Sequence, residues 1–270
     1  MNYRHAFHAG NFADCVKHAV LVWLLRALAR KEKGFAVFDT HAGIGQYDLT
    51  SGPAARTGEW RSGIGKLLGN TDPALADYLG LVAHTGMYPG SPVLVRAMLR
   101  LQDRLACCEL HPEDVKVLRR LFRGDPQVAV HRRDAYEAIG AMLPPPERRG
   151  LVFLDPPYEA ADEFTKVEAG LTLANRRFPS GVLAAWYPVK ARASVRALHD
   201  GMRVLHDVVA VELFLREPLD AARLNGCGLV VVNPPFGFED AMRALLPALL
   251  AGFGMGEAGE GVAVTRLSDE

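Results

Sequence analysis

The chain has 270 residues, 49% hydrophobic and 23% charged, with 31 Lys plus Arg against 31 Asp plus Glu. That length and apolar content can build a sizeable core and exclude a disordered or fibrous chain. The even charge balance lacks the basic excess usual in nucleic-acid binders, so any contact with phosphates has to come from local patches.

Candidate patches are Lys116, Arg119, Arg120 and Arg123; Arg132 and Arg133; Arg148 and Arg149; Arg176 and Arg177; and Lys190, Arg192 and Arg196. Cys15, Cys107, Cys108 and Cys227 form no Cys-x-x-Cys pair, which fits reduced thiols. Residues 1–5 lack the apolar core of a signal peptide, and the longest apolar run, 19–25, is too short to span a bilayer. The expected location is the cytoplasm, with no membrane partner.

In chain order, Asn11 or Asp14 can cap a first helix whose apolar face carries Val16, Val20, Leu24 and Leu28, with Gly34 as its stop. Residues 35–39 read as a buried strand that opens into Thr40-His41-Ala42-Gly43-Ile44-Gly45. Further strands are predicted at 105–109, 128–131, 151–154, 181–186, 208–215 and 228–233. Seven strands interleaved with helical patterns predict an open α/β fold with a mostly parallel sheet. About sixty residues separate the first two strands, about three times what one crossover helix needs. Residues 46–90 therefore read as an inserted, mainly helical subdomain, and 92–101 as the crossover helix proper. The main domain is then 1–45 with 91–270, and 252–270 closes the fold or frays.

Ligands of open α/β sheets sit beyond the carboxyl ends of the strands. Gly43 and Gly45 after the first strand permit close backbone approach, and Glu109 after the second can accept both ribose hydroxyls. Asp134, after the third, can accept from an adenine amino group. No phosphate-cradling G-x-G-x-x-G run is present, which disfavours NAD, FAD and ATP and suits S-adenosyl-L-methionine.

Asp155-Pro156-Pro157-Tyr158 after the fourth strand is more specific. An exocyclic base amine is a poor nucleophile because its lone pair is delocalised into the ring. The Asp155 carboxylate and the Pro156 carbonyl can accept from that NH₂ group, aiming its lone pair and stabilising the positive charge that develops on attack. The prolines stiffen the turn, and Tyr158 offers a flat face for a flipped-out base. These residues leave the acceptor open between adenine N6, guanine N2 in RNA, and adenine in DNA. A binding module with a vestigial cofactor fold is the non-enzymatic alternative.

Asn233-Pro234-Pro235-Phe236 has similar chemistry, but it follows the seventh strand, past the cofactor loops, and is assigned to structure. His5, His8, Cys15 and His18 match no zinc spacing, so no metal is expected. No G-x-S-x-G elbow exists for acyl transfer.

With these residues in place, the chain resembles the RlmJ family, adenine-N6 methyltransferases of bacterial large-subunit (23S) ribosomal RNA. The match runs from residue 1 to the seventh strand. It is carried by Tyr3-Arg4-His5-x-Phe7-His8-Ala9-Gly10-Asn11, Asp14-x-x-Lys17-His18, Asp39-Thr40-His41-Ala42-Gly43, Pro89-Gly90-Ser91-Pro92, Glu109-Leu110-His111-Pro112 and Asp155-Pro156-Pro157-Tyr158. The resemblance implies a class I (Rossmann-like) methyltransferase, a monomer acting on large-subunit ribosomal RNA. It implies Asp155 as the catalytic residue, itself bordering the cofactor. His18, His41, Ser91, Glu109, Asp134 and the backbone of Ala135 would contact S-adenosyl-L-methionine. Ala135 departs from the expected glycine, which matters little for a backbone contact. Tyr3, His5 and Lys17 would lie near the target adenosine, with Pro156 and Tyr158. Read without the resemblance, Lys17 is a solvated helix residue and Tyr3 a frayed terminus.

Overall fold

In the computed structural model, which describes residues 4–254 and 256–269, helix α1 (Phe12–Ala29) opens with Asn11 as its cap. The Asn11 side chain accepts from the Asp14 backbone N–H at 3.0 Å, so Asp14 belongs to the first turn and is not the cap. The helix is buried nearly all round because it packs against a strand and three other helices, which leaves no face for water. Truncating a fully buried residue such as Leu24 to alanine is expected to cost about 2–5 kcal/mol.

The chain continues through β1 (Ala36–Asp39), β2 (Gln46–Tyr47), α2 (Gly52–Thr57), α3 (Ile64–Leu67), α4 (Ala76–His84), β3 (Tyr88–Pro89) and α5 (Ser91–Met98). It then alternates β4 (Arg104–Cys108), α6 (Pro112–Leu121), β5 (Val128–His131), α7 (Ala135–Met142), β6 (Gly150–Leu154), α8 (Glu163–Arg177), β7 (Val182–Val189) and α9 (Arg192–Met202). Strands β8 (Val208–Phe214) and β9 (Gly226–Val232), helix α10 (Phe238–Phe253) and β10 (Gly261–Ser268) follow.

The main sheet has the order β10-β8-β9-β7-β6-β1-β4-β5. It has eight strands, not seven. The additional one, β10, lies in the stretch that the sequence leaves as a closing or fraying segment. It is a half-exposed edge strand, antiparallel to β8, so its pattern carries little apolar signal. Arg266 anchors it through Asp207 at 2.8 Å and Glu239 at 2.6 Å. Strands β5, β4, β1, β6 and β7 are mutually parallel, whereas β9 runs antiparallel to both β7 and β8.

One core, on the α1, α5 and α10 side, includes Ile64, Leu67, Leu75 and Tyr78 from the 46–90 stretch. The other lies under α7, α8 and α9. The 46–90 stretch leaves and returns at one point. Strands β2 and β3 pair antiparallel, and the Gly90 N–H donates to the Gly45 carbonyl at 2.7 Å.

Strand order decides where a ligand can sit. From β1 the chain first builds outward through β4 and β5, then crosses to β6 and β7 on the other side. The carboxyl ends flanking β1 therefore diverge, which opens a crevice at the switch point.

Candidate active site

A cleft of about 1130 Å³ occupies that crevice. Its walls come from the β1 turn, Glu109 after β4, the start of α7, the turn after β6, and Trp186 to Lys190 where β7 outruns β6. The first turn of α1 closes one side.

The described site residues inferred from sequence come together here. His18, His41, Ser91, Glu109, Asp134 and Ala135 line the cleft. So do His5, Lys17, Asp155, Pro156 and Tyr158. Tyr3 lies outside the described residues.

Glu109 binds the glycine turn. Its Oε2 accepts from the Gly43 N–H at 2.9 Å and its Oε1 from the His111 N–H at 2.6 Å. Burial raises its pKa, and those two hydrogen bonds pull the other way. Gly43 has φ 61°, and a Cβ there would meet the Tyr47 hydroxyl at 2.6 Å, so only glycine lets the turn pass so closely. Asp134 caps α7, accepting from the Tyr136 and Glu137 N–H groups at 2.9 and 3.1 Å. His41 is kept neutral, its pKa pushed down to about 4 by burial. Its Nδ1 lies 2.8 Å from Thr40 Oγ1 and accepts from the Asp155 N–H at 3.4 Å. His18 is pushed down to about 3, also by burial, and is hydrogen-bonded to Tyr88 at 3.0 Å.

Lys17 is not a solvated helix residue. It is 3% exposed, with its Nζ 2.5 Å from Asp155 Oδ2 and 2.9 Å from Asp14 Oδ1. Burial alone would lower its pKa, but Asp14 and Asp155 more than reverse that and keep it charged. Asp14 in turn accepts from His5 Nε2 and the Gly10 N–H, each at 2.9 Å. Burial would push Asp14 up; His5 and Lys17 outweigh it and hold the carboxyl well below the usual range.

Tyr158 is built into the wall. Its hydroxyl donates to the Trp186 carbonyl at 2.8 Å, and its ring centroid lies 4.8 Å from Phe164 and 5.7 Å from Trp186. Its φ of 51° is uncommon for a non-glycine residue, and the hydrogen bond and ring contacts hold the turn there.

Asp14 and Trp186, not among the site residues inferred from sequence, also line the cleft, and Asp39 is buried one residue before the lining Thr40. Asp14 carries an i,i+3 signal with Lys17. Asp39 ends the apolar β1; it is fully buried, its Oδ2 has no partner, and burial raises its pKa to about 7 against a hydrogen bond from Ser91. Trp186 follows Ala185, which pairs with Leu154, so it stands beside Asp155.

Asn233 is elsewhere. Val232 pairs with Leu183, at the start of β7, so the antiparallel β9 carries Asn233 to the opposite end of the strands, away from the cleft. Its amide donates to the Pro179 and Gly181 carbonyls at 2.9 and 2.8 Å. Of the basic runs, Arg133 and Lys190 reach the cleft. Arg149 and Arg177 instead donate to the Lys33 and Leu143 carbonyls, at 2.8 and 2.9 Å. Among the described residues, no group of three or more His, Cys, Asp or Glu is arranged to hold a metal. No described helix is long and apolar enough to cross a membrane.

The acceptor set suits a nucleoside carrying a positive charge. The floor presents carboxylates at Glu109, Asp134 and Asp155, with neutral His41, and no phosphate-cradling run of basic residues. That matches ribose hydroxyls, an amino group and a sulfonium better than a phosphate chain.

Comparison with known proteins gives the same direction. The model of a family described as ribosomal RNA large subunit methyltransferase D, RlmJ, matches residues 32–264. The chain is 39% identical over 260 residues to the ribosomal RNA large subunit methyltransferase J of Haemophilus influenzae, covering 92% of each chain. It is 40% identical over 262 residues to the protein of that name from Escherichia coli, again covering 92% of each. A Legionella pneumophila protein of solved structure, 34% identical, superposes with a TM-score of 0.88 over 96% of this chain and 98% of that one. On this sequence match, backed by a shared fold, the chain belongs to the RlmJ family of ribosomal RNA large subunit methyltransferases.

Proposed function

We propose that the protein methylates the N6 amino group of an adenosine in large-subunit (23S) ribosomal RNA, with S-adenosyl-L-methionine as methyl donor. The observation that carries this reading is Asp155. It stands at the carboxyl end of β6 beside the β1 glycine turn, with Oδ2 fixed by Lys17 at 2.5 Å.

In this reading Glu109, Asp134, His41, His18, Ser91 and the Ala135 backbone hold the cofactor. Bound there, S-adenosyl-L-methionine supplies an electrophilic methyl group that needs no metal to activate it. Asp155 accepts a hydrogen bond from the base amine, as does the Pro156 carbonyl. Together they orient the nitrogen lone pair and stabilise the charge that develops on it. Neutral His41 fixes the backbone of the turn without adding a competing positive charge. Tyr158 and Trp186 form the aromatic wall against which an extracted base packs. His5 and Lys17 bring the amino-terminal segment against that base. The protein acts as a monomer, in the cytoplasm, on residues 1–45 and 91–270 as methyltransferase domain with 46–90 as an insertion.

The test compares large-subunit ribosomal RNA from cells with and without the gene by mass mapping. The expected outcome is the loss of one N6-methyladenosine. Loss of an N2-methylguanosine, or a change confined to DNA, would refute the adenosine assignment.

A further inference from the structure

The start of α1 holds a buried carboxylate that the reaction as described does not use. Asp14 is 2% exposed and takes three donors, from His5, Gly10 and Lys17, each at 2.9 Å. Lys17 is thus held by two carboxylates at once, Asp14 from its own helix and Asp155 from the end of β6. The Trp186 ring centroid lies 5.5 Å from the ammonium, and α1 buries the rest of the side chain.

Two carboxylates share the one ammonium, and of the two only Asp14 also pairs with His5, so Lys17 is divided between Asp14 and Asp155, of which Asp155 is the more exposed to the cleft. Were Asp14 neutral, Asp155 would be the counter-charge for a buried ammonium that has nowhere else to turn. The attraction would be strong at such low exposure, and Lys17 would draw off the acceptor capacity that a base amine needs.

We propose that Asp14 is a positioning residue for methyl transfer: by sharing Lys17 it keeps Asp155 anchored yet still negative toward the incoming amine. This rests on the reading of Asp155 as the acceptor of that amine.

A merely structural Asp14, tying down His5 and Gly10, would change folding or substrate KM and leave the chemical step alone. Asp14→Asn keeps the shape and removes the charge. With unmodified large-subunit ribosomal RNA, it is expected to lower single-turnover kcat about 10- to 100-fold. The KM for RNA and the cofactor Kd by calorimetry should stay within about threefold.

A second comparison separates the sharing of Lys17 from any damage that Asp14→Asn does by itself. Once Lys17→Met removes the ammonium, Asp14 has nothing to share, and adding Asp14→Asn should change kcat by less than about threefold. Near-native kcat in Asp14→Asn, or a further tenfold or greater loss on the Lys17→Met background, overturns the proposal. Failure of the underlying reading looks different: Asp155→Ala would then itself keep near-native turnover.

Discussion

The Asp155-Pro156-Pro157-Tyr158 and Asn233-Pro234-Pro235-Phe236 turns place nearly the same side chains after a buried strand, yet they leave one sheet at opposite strand ends. β6 is parallel to β1, so Asp155 arrives beside the glycine turn, Glu109 and the cleft. β9 is antiparallel to β7, so Asn233 arrives at the far end of the strands and spends its amide on two backbone carbonyls. Phe236 beyond it is 96% exposed, whereas Tyr158 is locked to Trp186. The chemistry of a short motif is therefore decided by strand direction. An amine acceptor is useful only where the sheet delivers it to a crevice with a cofactor site next to it.

The comparison can be broken most severely at Asp155. Asp155→Ala is expected to lose about a hundredfold or more in methyl transfer while the fold survives. Turnover near that of the native chain would remove Asp155 from the mechanism.

A second effect follows from the buried acid at the end of β1, just before the turn that lines the cleft. Burial raises Asp39 to about 7, above its value in the unfolded chain, so folding favours the protonated acid. Its contribution to stability is complete below about pH 4 and is lost as the pH climbs through 7. Asparagine cannot ionise. The stability of Asp39→Asn relative to the native chain should therefore grow with pH, by on the order of a few kcal/mol between pH 4 and pH 7. Urea unfolding across that range reads the difference; a constant offset would contradict the burial argument. His18 and His41, both lowered, act in the opposite sense in each protein and cancel in the comparison.

At the far end of the strands, Asn233→Ala removes two hydrogen bonds and leaves two carbonyls to find water. It should cost about 1–3 kcal/mol of stability with little change in the rate of methyl transfer. A loss of rate without a loss of stability would reverse the assignment of the two turns. The smallest effect is expected at Tyr158→Phe, which keeps the ring and gives up the bond to the Trp186 carbonyl, about 1 kcal/mol, seen as a small drop in urea midpoint.

Much of this arrangement was legible in the sequence because strands buried on both faces read as continuous apolar runs, and each ended in a polar residue. Glu109, Asp134 and Asp155 were found as strand ends. The position of Asn233 was inferred from its place in the chain, and the physical reason, the antiparallel β9, came from the sheet. β10 was missed because an edge strand needs only one covered face, and 261–268 alternates weakly. Lys17 looked solvated because a lysine in a helix usually is. Its two counter-charges come from one turn earlier and from a strand far along the chain, and only folding brings the second of them to it. Spacing alone leaves Asn11 and Asp14 both able to cap α1, and the fold uses Asn11.

Labelled methyl transfer from S-adenosyl-L-methionine to unmodified large-subunit ribosomal RNA, with the digest resolved into nucleosides, separates the roles of the two turns. The native chain and Asn233→Ala, at a temperature where both are folded, should yield N6-methyladenosine at similar rates. Asp155→Ala should yield about a hundredfold less or lower. Label in another nucleoside, or an Asp155→Ala protein as active as Asn233→Ala, would contradict these roles.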